Sequence, residues 1–168
     1  MLDRTLCITP ILILVALTGA CIDKEPGTGP DIGQEAKIML PEPETTGEMS
    51  VEEALFRRRS VRRYRGRALT LGDLSQLLWA AQGVTSKEGF RTAPSAGALY
   101  LHEVYVVAGD VDGLFDGVYH YQEEHTLYNV HDCDQQRNLS ACALHQSPIT
   151  DAAADIVFTA VFERTIGK

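Results

Sequence analysis

The clearest hydrophobic pattern lies in residues 70–83 and predicts an amphipathic helix. Apolar side chains recur there at i, i+3, i+4 and i+7, the spacing of one buried helical face, at Leu74, Leu77, Leu78 and Ala81. Thr70 is a suitable N-cap residue for this helix, and Gly83 suits its C-terminal end. The pattern therefore predicts one helix packed against a core.

Two further helices are predicted, although neither has as clear an apolar periodicity. Residues 50–53 form a capping box, in which the Ser50 hydroxyl and the Glu53 carboxylate can bond free backbone N–H groups. A short helix is therefore expected through about Arg58. Another helix is expected over residues 135–144.

Short stretches rich in Val, Ile and Tyr predict the strands. Residues 103–108 form the first, and residues 118–121 and 126–130 form a predicted hairpin around residues 122–125. Residues 156–162 are apolar and β-branched, so we expect a buried strand there. Because helices and strands alternate without regular βαβ units, the expected fold class is α+β.

The N-terminus is typical of an export signal over residues 1–21. Its apolar core is too short to span a bilayer comfortably, and small residues lead into Cys21. The approach to Cys21 resembles a bacterial lipobox, although Thr18 holds the place that leucine usually takes. We expect lipidation at Cys21 and a membrane anchor on the extracytoplasmic side, with simple secretion and a retained anchor as the alternatives.

Residues 22–48 are rich in proline, glycine and acidic side chains. Such a composition buries little apolar surface and breaks helices, so it predicts a linker. Residues 49–168 are then the folded part.

Charge and cysteine content narrow the choice of partners. The net charge of −8 argues against nonspecific nucleic-acid binding. Seven of the 15 Lys and Arg residues nevertheless lie between Arg57 and Arg67, which suggests a local anion site. Cys133 and Cys142 lack zinc-ligand spacing, so no metal site is expected. Outside the cytoplasm they either form a disulfide or remain two thiols.

Two runs of residues carry candidate chemistry. The first, residues 57–64, brings several guanidinium groups together with the Ser60 hydroxyl, and both groups bond phosphate oxygens. Taken alone, this run is equally typical of an anion site, a solvated helix face or a membrane-surface patch. The second, residues 91–100, combines Pro94 with small residues and Gly97, which let the backbone approach a flat ligand. Alone it is an ordinary surface loop.

Together and in this order, the two runs resemble the nitroreductase superfamily, and most closely its SagB/ThcOx-type dehydrogenase branch. The resemblance covers residues 51–168 approximately, and we expect residues 49–168 to be the N-terminal part of such a domain. It implies a nitroreductase-like fold with a central, mostly antiparallel sheet flanked by helices. Leu101 departs from the branch, which usually has proline there. The matching segments are residues 59–64, 74–82, 91–100, 117–121 and 151–157.

The resemblance implies bound FMN. By position, its phosphate and ribityl chain would be held by Arg58, Arg59, Ser60 and Arg62. Its isoalloxazine ring would be lined by Pro94, Ser95, Ala96 and Gly97, and Gln146 would approach the flavin. The resemblance also implies a homodimer with FMN at the interface. No catalytic acid or base is assigned, because the candidates His102, His120, His125 and His145 are each more typical of a strand or turn.

The expected function is therefore that of an FMN-dependent oxidoreductase. It would transfer hydride between a donor, such as NAD(P)H or an organic substrate, and an acceptor through the flavin. The alternative is a truncated, catalytically inactive lipid-anchored remnant or binding module. A third possibility is a surface protein that acts through the arginine run alone.

Replacing Cys21 with alanine tests the anchor. Removing the thiol removes the only group that a lipobox modifies, so we expect the C21A chain to leave the membrane fraction for the soluble fraction. Fractionation of cells expressing the native and C21A chains measures this shift. Unchanged partitioning of the variant would argue against a lipid anchor.

Overall fold

The structure, a computed structural model, describes residues 37–166. The predicted signal, the lipidation site Cys21 and the first part of the predicted linker lie outside the described residues. Among residues 37–166, no helix is long and apolar enough to cross a membrane.

Strands and helices alternate through the described part of the chain. The strands are β1 Lys37–Met39, β2 Leu69–Thr70, β3 His102–Ala108, β4 Val111–Asp112, β5 Gly117–Gln122, β6 Thr126–Asp132 and β7 Ala154–Ala160. The helices are α1 Val51–Arg57, α2 Leu71–Gln82, α3 Gln136–Cys142 and α4 Ser147–Thr150. Short 3-10 turns cover Ala96–Ala98 and Phe162–Arg164.

Five strands form one antiparallel sheet in the order β1-β6-β5-β3-β7. β2 and β4 form a separate parallel pair. β5 and β6 are the predicted hairpin, and β3 lies in the interior of the sheet between β5 and β7. The predicted α+β class with a mostly antiparallel central sheet is confirmed.

The hydroxyl caps predicted at Ser50 and Thr70 are both present, whereas the Glu53 carboxylate of the predicted capping box forms an ion pair with Arg57. The Ser50 hydroxyl accepts a hydrogen bond from the Glu53 backbone N–H at 3.1 Å. Thr70 Oγ1 accepts one from the Asp73 N–H at 3.1 Å and donates to the Asp73 carboxylate at 2.7 Å. The capped ends set where α1 and α2 begin, and the Thr70 cap therefore also marks the end of the loop between them.

The core forms where α2 packs on the sheet. Leu74 and Leu78 are fully buried among apolar side chains of β3, β5 and β6. Leu77, predicted to lie on the same face, is instead 49% exposed. The buried face is rotated by about one position, because it also includes the polar residues Ser75 and Gln82.

The predicted linker differs from the structure in its last part. Residues 37–39 form β1, an outer strand paired with β6, and Leu40 is buried in the core. The Pro41 carbonyl accepts a hydrogen bond from Ser75 Oγ at 2.5 Å. A single short apolar stretch is enough to extend the sheet, even though the proline and glycine around it are typical of a linker.

One other prediction is wrong in detail, and one alternative that the sequence left open is excluded. The strand predicted over residues 156–162 is shifted, and β7 is an edge strand with Phe158 55% exposed, so it is not buried. Cys142 is an exposed free thiol, so the disulfide considered between Cys133 and Cys142 is not formed. Burial depends on which neighbours cover a strand, and the strand's own composition does not specify them.

The buried face of α2 can be tested with two leucines on the same helix. Leu74→Ala removes fully buried methyl groups and should lower the free energy of unfolding by about 2–5 kcal/mol. Leu77→Ala is the matched control and should change it by less than about 0.5 kcal/mol. Urea unfolding of the three chains measures both values, and equal losses would contradict this packing.

Candidate functional site

The arginine run lies on an exposed loop that follows α1. Every residue from 57 to 67 is exposed, and α1 itself has no buried residue. Arg57 forms an i,i+4 ion pair with Glu53 at 2.6 Å. Arg59 Nη1 donates to the carbonyl oxygens of Phe56 and Arg58, at 2.9 and 2.7 Å. Arg59 thus stabilises the turn by which the chain leaves α1.

The structure brings part of this loop to the C-terminal helices. Arg62 lines a cleft of about 630 Å3 together with Ser147, Pro148 and Asp151 of the α4 region. Gln146 immediately precedes α4, and its carbonyl accepts a hydrogen bond from Ser140 Oγ at 3.1 Å. Gln146 itself is not among the residues that line this cleft, and its side-chain amide donates to the Ala143 carbonyl at 3.1 Å, so the predicted approach of Gln146 to a flavin stays a prediction.

The second predicted arm is a tight loop before β3. Ser95 Oγ accepts a hydrogen bond from the Tyr100 N–H at 2.9 Å, and the Ser95 carbonyl accepts one from the Ala98 N–H at 3.1 Å. Gly97, Ala98 and Tyr100 have φ values of +65°, +52° and +40°, in the left-handed region that favours glycine. Pro94, Ala96 and Gly97 are exposed, so the backbone of this loop is accessible to a ligand.

The loop rests on the end of α2. Thr92 Oγ1 donates to the Trp79 carbonyl at 3.0 Å. The Arg91 guanidinium lies over the Tyr100 ring, 4.2 Å from its centroid, and forms an ion pair with Glu123. Residues 94–97 do not line the cleft that contains Arg62.

A polar cluster that sequence reasoning missed lines another cleft, of about 610 Å3, beside Tyr100. His120 Nε2 and Glu103 Oε2 are 2.7 Å apart, and His120 Nδ1 lies 2.7 Å from Gln122 Nε2. Arg164 forms an ion pair with the other oxygen of Glu103. No local motif announces this cluster, since Glu103 and Arg164 are 61 positions apart and meet only because β3 pairs with β7.

Burial raises the pKa values of two tyrosines on the sheet, Tyr105 and Tyr121. The Tyr105 ring stacks on His120, with centroids 4.6 Å apart, and burial followed by the nearby Glu103 charge raises the pKa of Tyr105. Burial raises the pKa of Tyr121 to about 12. The Tyr121 hydroxyl lies 2.8 Å from His125 Nδ1. Both phenols are therefore neutral hydrogen-bonding groups at physiological pH.

A third cleft, of about 820 Å3, shares Arg63 and Asp151 with the cleft that contains Arg62. Arg65, Arg67 and Asp155 also line it. Asp155 accepts a hydrogen bond from buried Gln136 at 3.0 Å, and burial raises its pKa above the usual range. Asp155 is thus a carboxylate in the cleft of the arginine loop whose pKa burial shifts upward.

The domain has an α+β fold of the nitroreductase type. It combines the antiparallel sheet with the exposed arginine loop after α1 and the loop around Gly97 before β3. The model of the family described as "Nitroreductase family" matches residues 55–167. The chain belongs to the nitroreductase family.

Relatives agree with this assignment. The chain is 42% identical over 135 residues to a candidate nitroreductase of Methanocaldococcus jannaschii, covering 80% of this chain and 67% of that one. Two crystal structures of candidate nitroreductases are also similar, each with a TM-score of 0.66. The protein from Ralstonia eutropha is 34% identical, covering 79% of this chain and 59% of that chain. The protein from Anabaena variabilis is 28% identical, covering 80% and 29%.

The fold also resembles a chain of the E. coli microcin synthetase complex, at a TM-score of 0.51 and 21% identity. The present chain covers 96% of its own length in that comparison and 59% of the other chain. It thus spans only part of each of these solved structures, and the likeness to the synthetase concerns the fold alone.

Asp155 gives a pH-dependent prediction. Its raised folded-state pKa means that its contribution to stability is greatest below its unfolded pKa and is lost as the pH rises through the folded pKa. Asp155→Asn keeps an acceptor for Gln136 and removes the charge. The variant should be more stable than the native chain at pH 7, by less than about 1 kcal/mol because the site is partly solvated.

This advantage should shrink as the pH falls from 7 towards 4, since the native carboxyl then becomes protonated. Urea unfolding at several pH values measures the difference. Asp151→Asn, an exposed neighbour in the same cleft, is the control. A difference that grows on acidification would contradict the assigned direction of the pKa shift.

Proposed function

We propose that the chain provides one side of an FMN site and that the complete protein is an FMN-dependent oxidoreductase of the SagB/ThcOx type. The observation that carries the proposal is a pair of exposed loops with complementary chemistry. One presents arginines, and the other presents an open backbone around Gly97 in the left-handed conformation. Both occur in a member of the nitroreductase family.

The donor set of the first loop suits a phosphate group. Arg58 and Arg62 are exposed and form no ion pair with any carboxylate of residues 37–166. Guanidinium groups bind phosphate oxygens in a forked geometry, and the Ser60 hydroxyl can add a further hydrogen bond. In this proposal Arg59 positions the turn through its two carbonyl bonds, with its remaining N–H groups available to the anion.

The second loop suits a flat ring. Gly97 carries no Cβ, and its left-handed φ lets the chain turn sharply while the backbone stays exposed. Ser95 Oγ already accepts the Tyr100 N–H, so its hydroxyl hydrogen remains free to donate to a ring heteroatom. Pro94 and Ala96 would provide apolar contacts beside it.

Bound FMN would supply the hydride chemistry, with NAD(P)H or an organic substrate as donor. The residues of this chain would bind the phosphate, orient the ring and restrict water beside the loop. Gln146 would contribute an amide near the flavin from the α4 side. No side chain is assigned to proton transfer.

We also propose a homodimer and a lipid anchor at Cys21. The dimer is supported by apolar side chains on exposed elements, since Leu55 and Phe56 on α1 are 66% and 80% exposed and Phe158 on β7 is 55% exposed. Exposed apolar side chains that adjoin each other, as Leu55 and Phe56 do, are typical of a surface that another chain covers. The anchor rests on the sequence around Cys21 alone.

A spectroscopic titration tests the flavin site. The full chain in detergent should retain flavin absorbance after incubation with FMN and removal of unbound FMN, and the Arg58→Ala/Arg62→Ala variant should bind FMN about a hundredfold more weakly, because two charge-assisted hydrogen-bonding groups are lost. Quenching of FMN fluorescence measures the Kd, and sedimentation of the same samples reports the oligomeric state.

Arg65→Ala/Arg137→Ala removes the same charge from exposed positions outside the cleft of Arg62 and is the matched control. No flavin absorbance with the native chain would favour the alternative, an inactive remnant or binding module. Equal affinities of the native and Arg58/Arg62 chains would show that the phosphate site is misplaced.

A further inference from the structure

Beyond the residues that would touch FMN, we propose that Glu103 and Arg164 are positioning residues that clamp the exit of the loop from Ser95 to Tyr100 and so set the orientation of the ring against it. The effect of this clamp on flavin placement rests on the proposed function. Its effect on the loop itself can be measured without any flavin.

Arg164 joins the loop to the sheet. Its Nη1 donates to the Tyr100 carbonyl at 2.6 Å, and its Nη2 pairs with Glu103 Oε1. Next to it, the Val161 N–H donates to the Leu101 carbonyl at 2.8 Å. One guanidinium therefore holds both the last residue of the loop and a carboxylate of β3.

Glu103 is itself held in place by side chains of the sheet. Its second oxygen lies 2.7 Å from His120 Nε2, and the His120 ring is stacked on Tyr105 and bonded to Gln122. These partners belong to β3 and β5, which are paired along five residue positions. The carboxylate is thus oriented by a rigid part of the sheet before it meets Arg164.

Tyr100 is where such a clamp matters. Its φ of +40° is unfavourable for a residue with a Cβ, and Ala98, two residues earlier, has a φ of +52°. Backbone conformations of this kind persist only when the surroundings determine them. The carbonyl bond from Arg164 and the Arg91 guanidinium over the ring hold Tyr100 from two sides.

One hydrogen bond couples the position of Tyr100 to that of Ser95. The Tyr100 N–H donates to Ser95 Oγ at 2.9 Å, so a shift of Tyr100 displaces the serine that we place against the ring. The order of contacts is therefore His120, Glu103, Arg164, Tyr100 and Ser95. None of the first three has to touch the ligand for its removal to alter the binding geometry.

Hydrogen exchange of the Tyr100 amide in the flavin-free chain tests the clamp directly. In Arg164→Ala this amide should exchange about tenfold faster, because its bond to Ser95 opens more often. Glu103→Gln should give a smaller increase, since it weakens the ion pair and keeps the shape. Arg164→Lys should also be intermediate, because an ammonium group cannot reproduce the forked contact with two acceptors.

Arg137→Ala, an exposed arginine on α3, is the control and should leave the Tyr100 amide unchanged. Amides of β5 report global stability, so acceleration confined to residues 95–100 separates positioning from general destabilisation. If Arg164→Ala does not fold, the lysine and glutamine variants still decide the question. Native exchange at Tyr100 in these variants would overturn the clamp.

Visible circular dichroism of bound FMN then tests the consequence for the ring. The Arg164 variants should change the sign or amplitude of the flavin bands and raise the FMN Kd by about tenfold, whereas Arg137→Ala should change neither. Native dichroism and affinity in the Arg164 variants would overturn the positioning role. A native chain that binds no FMN would refute the proposed function, and the exchange data would still decide whether the clamp exists.

Discussion

The structure depends on the pairing of β3 with its two neighbours. This strand is hydrogen-bonded to β5 on one side and to β7 on the other, over five and seven paired positions. Its alternate residues Val104 and Val106 point into the core, where α2 packs. The same register places Tyr105 opposite His120 and brings the chain after β7 back to the loop before β3. One strand, β3, thus positions the core, the polar cluster around Glu103 and the candidate flavin loop that precedes it.

Local signals predicted most of the elements. Ser50 and Thr70 mark the starts of α1 and α2 because a cap is satisfied within three residues, without help from the rest of the chain. The β5–β6 hairpin was equally visible, since its strands are joined by a short turn. Predictions were less accurate where the outcome depended on distant partners: β1 lies in a stretch that resembles a linker, and β7 was expected to be buried.

The candidate site was predictable in part. The arginine run and the loop around Gly97 stand out as short runs of sequence, and both are exposed as a ligand site requires. The sequence also supports the family, which the comparisons establish. The cluster of Glu103, His120 and Arg164 could not be found in this way, because each residue alone is ordinary and only the pairing of three strands brings them together.

The amino-acid sequence by itself determined where α1 and α2 begin and which stretches form β3, β5 and β6, and it indicated the two loops that we propose as contacts of the FMN phosphate and ring. These features depend on hydrogen bonds and side-chain spacing within a few residues. Only the tertiary structure decided which face of α2 is buried, that β7 is an edge, and that Arg164 reaches Tyr100. These depend on contacts between residues far apart in the chain, whose geometry is set by sheet register and by what covers each surface.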